Sequence, residues 1–192
     1  VWLERWQQQE QENYLHLDRA RQWPDNPRAA DITAFGLQHL ARKHTEFGWR
    51  YYISLQGKIQ WNEQQQGDIL RELAQWSAVA NLPEALERMR LVPTSARTDT
   101  LLEWWVRAGL AARNWTEVTG AIAAMSEVAR GSDRWRYWDA IARSKLGEEQ
   151  RPTAALDALS GEATYFGFLA ADFLNRPYAI CAQDARVTSQ EM

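Results

Sequence analysis

Leu101-Leu102-Glu103-Trp104-Trp105-Val106-Arg107-Ala108-Gly109 is answered by Arg134-Trp135-Arg136-Tyr137-Trp138-Asp139-Ala140-Ile141-Ala142 at a shift of 33. In both stretches a Trp precedes a small residue by four, Trp105 before Gly109 and Trp138 before Ala142. That spacing puts ring and small residue on one helical face, where a neighbouring backbone can approach. Further on, Ala121, Ile122 and Met125 recur as Ala155, Leu156 and Leu159 at a shift of 34, the extra residue falling in a turn. Residues 101–159 therefore read as two stacked helical hairpins, with Trp105 and Trp138 as equivalent core residues.

The rest of the chain fits the same plan. Between its Gly and Pro residues almost every stretch has a helical period, and none has a convincing period of two. The opening segment, Trp2 to Trp23, predicts a helix ended by Pro24 and Pro27. Asp31 is the expected N-cap of a helix through His44, followed by one over Phe47–Gln60 that Gly57 weakens. Asn62 caps a helix with Ile69, Leu70, Leu73, Trp76 and Ala80 on one face, and Pro83 opens a short helix at Glu84. Thr98 or Asp99 caps Leu101–Arg113, and an amphipathic helix is expected over Thr116–Ala129 with Val118, Ala121, Ile122, Met125 and Val128 inward. Ser132 caps Arg134–Leu146, and Pro152–Leu159 and Thr164–Asn175 complete the series. The fold class is all-α, a superhelical solenoid of antiparallel helical hairpins similar to tetratricopeptide repeats.

Composition sets bounds but names no activity. The 192 residues carry 22 Lys and Arg against 25 Asp and Glu, a net charge of −3, which gives no support to general nucleic-acid binding. The single cysteine, Cys181, excludes an intrachain disulfide framework and a multi-cysteine metal site. No apolar run approaches the roughly 20 residues of a membrane span, so no transmembrane segment is expected. The start, Val1-Trp2-Leu3-Glu4-Arg5-Trp6, is not a signal peptide, and the chain reads as an excerpt or a processed product.

Catalytic and metal-binding candidates are few. His39 and His44 are five apart, about 500° around a helix, and do not sit side by side; His16 is isolated. No phosphate loop, Gly-x-Ser-x-Gly elbow or Cys/His dyad occurs. Glu148-Glu149 suits a helix start electrostatically but is not a facing pair, and Cys181 reads as inert. The expectation is no catalytic residue, no metal and no cofactor. The eleven tryptophans are either sugar platforms or packing residues. Trp105 and Trp138 read as packing, leaving Trp61, Trp104 and Trp135 as candidates for exposed or inter-helix roles.

Trp135-Arg136-Tyr137-Trp138, then Ala140 and Ala142-Arg143, resembles a signature of the soluble lytic murein transglycosylases. Tyr165-Phe166-Gly167-Phe168-Leu169-Ala170-Ala171-Asp172 followed by Pro177-Tyr178 is similar to a second block of the same family, at the end of its superhelical domain. The resemblance covers about 98–178 and extends more loosely back to 28. It implies a periplasmic parent enzyme that cleaves murein glycan strands without water and leaves 1,6-anhydro-muramoyl ends. In that family an α-superhelix, a linker domain and a lysozyme-like catalytic domain follow one another. The catalytic Glu-Ser dipeptide is absent here, and Gly36-Leu37-Gln38 only echoes the downstream Gly-Leu-Met-Gln motif. The resemblance thus implies that 1–178 is a non-catalytic section of the superhelical domain and 179–192 the start of a linker or tail. Its partners would be peptidoglycan glycan strands and a catalytic domain of the same polypeptide. A stand-alone interaction module that docks a protein peptide is the alternative.

Overall fold

The computed structural model describes residues 3–5 and 17–180; helices joined by turns and short loops make up these residues, with no strand among them. Most of the expected helix over Trp2–Trp23, together with His16 and Cys181, lies outside the described residues. The chain divides into two compact units, Val1–Met125 and Ser126–Met192.

In the first unit, α1 (Leu17–Ala20) leads into α2 (Pro27–Lys43), α3 (Thr45–Leu55), α4 (Glu63–Val79), α5 (Ala85–Arg90), a 3₁₀ turn (Thr94–Ala96), α6 (Asp99–Ala111) and α7 (Trp115–Ala124). The N-cap of α2 is Asn26, whose side chain accepts from the Ala29 N–H at 3.0 Å. Asp31, expected there, sits inside the helix because Pro27 needs no donor partner and starts it a turn earlier. The helix expected to reach Gln60 stops at Leu55, and Gly57 at φ +72° makes the turn. Asn62 caps α4 with a full capping box to Gln65, and Thr98, not Asp99, caps α6.

The pairings follow the hairpin reading: α2 packs on α3 and α4, α4 on α5 and α6, and α6 on α7. Gly109 is where α6 and α7 approach; a Cβ there would lie 3.0 Å from a Val118 methyl and 3.3 Å from the Val118 nitrogen. Fully buried Ile32, Leu37, Tyr52, Ile69, Leu73 and Leu101 form the core; each such aliphatic side chain contributes about 1.5–3 kcal/mol on transfer from water. Ala80, expected on the inner face of α4, is exposed and Trp76 is half-buried; Ala74 and Ser77 take those places. Among the described residues one charged side chain joins the interior: Arg88, whose guanidinium covers the Trp49 ring, pairs with Glu46 at 2.7 Å and donates to Ser77 Oγ at 2.9 Å.

The second unit holds α8 (Glu127–Arg130), α9 (Asp133–Lys145), α10 (Gln150–Ser160) and α11 (Tyr165–Leu174). The single helix expected over Thr116–Ala129 is two. Met125 is extended, and Ser126 starts α8 by accepting from the Ala129 N–H at 3.2 Å. Val128, expected to face inward, is consequently 89% exposed. Ser132 precedes α9 without capping it, because its hydroxyl donates instead to the Ala129 carbonyl. Both α10 and α11 pack on α9 and on each other around Ala140, Ile141, Leu156, Leu159 and Ala170. Asn175 closes α11 in the left-handed region, φ 54°.

Candidate functional site

The two signature blocks meet in the second unit. Thr164 starts α11 by accepting from the Gly167 N–H at 3.1 Å, and Gly167 then lays the first turn on the end of α10. A Cβ at 167 would overlap the Glu162 carbonyl oxygen and lie 2.8 Å from that of Leu159, so the motif requires glycine here for close approach. Seven residues separate Tyr165 from Asp172, which places them on one face of α11.

The result is an aromatic shelf. Tyr137 of α9 lies 5.7 Å, centroid to centroid, from Phe166, and Tyr165 meets Phe166 edge-on at 5.1 Å. Tyr165 is 68% exposed, so its ring is largely open to solvent. Beyond the helix, Tyr178 returns to lie 5.2 Å from Phe168 and donates its hydroxyl to Asp172 Oδ1 at 2.7 Å. At the other end the Arg134 guanidinium stands 6.0 Å from the Phe166 centroid and 5.7 Å from that of Trp135. No ion pair neutralises Arg134 among the described residues, whereas Arg136 is held by Glu162 at 2.9 Å and Asp133 at 3.5 Å.

The electrostatics match this geometry. Burial raises the Tyr137 pKa, and negative charge on Tyr165 or Asp172 adds to the effect. The hydrogen bond to Asp172 raises that of Tyr178. Further along α9, Arg143 is stabilised as a cation, first by its hydrogen bond to Asp139. Tyrosyl hydroxyls, a carboxylate and an open ring face can stack on an amphipathic ligand and hydrogen-bond its rim. They include no activated nucleophile beside a base.

The sequence candidates fall elsewhere or into packing. Trp105 is buried, its indole N–H donating to Glu117 at 2.6 Å. Trp138 is only half-buried, against the Ile141–Leu156–Leu159 core. Trp135, a candidate for an exposed or inter-helix role, takes the packing role: it is 4% exposed, and it rather than Trp138 occupies the innermost position of α9. Trp61 stacks on Tyr52 at 5.6 Å and donates to Thr33 Oγ1, so it is pinned as packing. Trp104 is half-buried under Arg107. His39 shares a hydrogen bond with the Phe35 carbonyl, and His44 ends α2. Glu148 pairs with Arg143, and Glu149 stands at the start of α10. Gly36 and Leu37 are buried in mid-helix. Among the described residues no three His, Cys, Asp or Glu side chains gather for a metal ion. Nothing in the sequence alone marks Arg134 or the Tyr137–Tyr165–Asp172 grouping as a site. The seven-residue step from Tyr165 to Asp172 is the nearest signal.

This is an all-α protein of antiparallel helical hairpins with an open aromatic shelf. No protein-family model and no curated protein matches the sequence, but solved structures do. An inactive variant of the lytic transglycosylase Slt from Pseudomonas aeruginosa superposes with a TM-score of 0.79 at 27% identity, over 88% of this chain and 28% of that one. A 70 kDa soluble lytic transglycosylase in complex with bulgecin A gives 0.71 at 20% identity, over 94% of this chain and 29% of its own. The 70 kDa soluble lytic transglycosylase of Escherichia coli gives 0.68 at 20% identity, over 88% and 28%. The family the chain resembles is therefore the soluble lytic transglycosylases, and its fold is that of their helical superhelical domain. The chain spans under a third of the length of these structures. No described helix is long and apolar enough to cross a membrane.

Proposed function

We propose that residues 1–178 are a non-catalytic section of the superhelical domain of a periplasmic murein-processing protein, with 179–192 beginning a linker or tail, and that this section guides glycan strands towards a catalytic domain of the same polypeptide. The observation that carries this reading is the match to the Pseudomonas aeruginosa lytic transglycosylase over most of the chain; beside it, residues of both signature blocks, Tyr137 with Tyr165 and Phe166, come together. The bulgecin complex of a second such enzyme is consistent with ligand binding in this class. The net charge of −3 gives little long-range attraction to an anionic polymer, so binding rests on local Arg and aromatic contacts and weakens with salt.

Co-sedimentation of the chain with purified sacculi, at low and high salt, tests this. The expected result is weak, salt-sensitive binding with no anhydro-muropeptides released. Chromatographic detection of such products above a boiled control overturns the non-catalytic assignment, and absence of binding at low salt overturns the guiding role.

A further inference from the structure

We propose that the shelf of Tyr165, Tyr137, Asp172 and Tyr178, with Arg134 at its edge, is a binding subsite for an anionic saccharide. This inference rests on the glycan-guiding reading above and extends it to a particular surface and a particular ligand charge.

Three observations converge on one ligand class. Tyr165 offers an open ring, the surface on which the C–H face of a pyranose packs, as apolar bodies with polar rims do. Asp172 and the tyrosyl hydroxyls supply acceptors and donors for sugar hydroxyls, and Tyr178 already fixes one oxygen of Asp172 while leaving the other available. Arg134 is a cation that lies against two rings and, among the described residues, forms no ion pair. A guanidinium in that setting is matched by a carboxylate, which it can bind with two parallel hydrogen bonds.

The charges also give the ligand a direction. Tyr165 and Asp172 are seven residues apart on α11, about 10 Å along its axis or roughly two pyranose rings. Arg134 adjoins Phe166 at the first turn, so the positive end of the shelf lies there and the negative end at Asp172. A saccharide lying along α11 would therefore place its hydroxyl-rich ring by Asp172 and its carboxylate-bearing ring by Arg134. A neutral sugar would satisfy the first half only. A second copy of this chain would have to bury Arg134 and Asp172 together with the rings, a costly surface to desolvate.

The test compares a murein-derived tetrasaccharide, whose alternate rings carry carboxylates, with chitotetraose, which has acetamido rings and no carboxylate. Binding to the full chain is followed by Trp fluorescence and by sacculus co-sedimentation. The wild type should prefer the murein tetrasaccharide. Tyr165→Ala should weaken both ligands roughly tenfold, with an unchanged unfolding midpoint because the ring is exposed. Arg134→Gln should weaken the anionic ligand alone and abolish the preference, and Tyr165→Phe should retain most of the stacking. Val128→Ala, at a site 89% exposed on α8, should change nothing. If sacculi bind but Tyr165→Ala and Arg134→Gln leave both saccharides unaffected, the subsite is overturned and the guiding role stands. If wild-type chain binds neither sacculi nor saccharide, both are overturned. A dimer that Tyr165→Ala dissociates, with no saccharide bound, assigns the shelf to self-association and overturns the subsite.

Discussion

The α6–α7 hairpin of the first unit and the α9–α10 hairpin of the second share a sequence spacing but use it differently. In α6 the residues Leu101, Leu102, Trp105, Val106 and Gly109 are all buried. The positions 33 further on in α9 are Arg134, Trp135, Trp138, Asp139 and Ala142, of which only Trp135 and Ala142 are buried. Charge at 134 and 139 turns the buried stripe so that Ala140 and Ile141 enter it, and Trp138 moves to its edge. The small residue keeps its role in both hairpins, because backbone approach depends on it and not on the ring. The ring's role is set by its neighbours: Trp105 is locked by Glu117, which Arg90 also holds at 2.7 Å, while Trp138 shares its surroundings with Tyr137.

The largest test of this contrast is deletion of the rings. Trp105→Ala should cost about 3–5 kcal/mol, the range for a buried aromatic, and it also deprives a half-buried Glu117 of a donor. Trp135→Ala should fall in the same range. Trp138→Ala should cost less, about 1–3 kcal/mol by the same scale reduced for half-exposure. Urea unfolding of the three variants checks the order. A Trp138→Ala variant as destabilised as Trp105→Ala would restore the two rings to equivalence and remove the contrast.

The glycines sharpen it next. At Gly167 the obstruction is two backbone carbonyls, which cannot rotate away; at Gly109 the nearest atom is a side-chain methyl. Gly167→Ala should therefore cost about 1–3 kcal/mol as an overpacking change, and Gly109→Ala less. Equal unfolding midpoints for the two variants would show that the α10–α11 turn yields as easily as a methyl.

How much of this was readable in advance depends on the kind of residue. Helices and the caps Asn62 and Thr98 were legible because local chemistry fixes them: each cap accepts from a backbone N–H three residues on, whereas Asp31 and Ser132, with the same chemistry, do not cap. The break at Met125 was not, because the apolar period continues through Val128 and only the Ser126 cap opposes it. The exchange of Trp135 for Trp138 was hidden for a similar reason. Periodicity gives a face, and tertiary neighbours decide which of two rings on that face goes deepest. The shelf needed α9 and α11 brought together, which no local pattern encodes.

Capping provides a smaller comparison. Thr98 caps α6 through its side chain, whereas Ser132 at the corresponding place before α9 does not. Thr98→Ala should cost about 1 kcal/mol. Ser132→Ala loses only an exposed hydrogen bond to the Ala129 carbonyl and should change the midpoint little. A loss at Ser132 equal to that at Thr98 would mean that α9 depends on the α8 turn as strongly as α6 depends on its cap.

The smallest expected effect is the most local, and it concerns how closed the Trp138 side of α9 is. Tyr137, next to it, has its pKa raised first by burial, and Tyr178 has its own raised first by the hydrogen bond to Asp172. Below about pH 10 both phenols are protonated in folded and unfolded chains alike, so neither makes stability pH-dependent there. Above that, the unfolded chain releases protons that the folded one still holds, so stability falls as pH rises. Ultraviolet phenolate absorbance should show both tyrosines ionising after an ordinary phenol. Asp172→Asn then separates the causes: Tyr178 should return towards the ordinary range, while Tyr137 should keep most of its shift because burial dominates it. If Tyr137 returns as well, its shift comes from the carboxylate rather than from burial. The Trp138 flank of α9 is then open to water, and the two hairpins differ more than their burial already indicates.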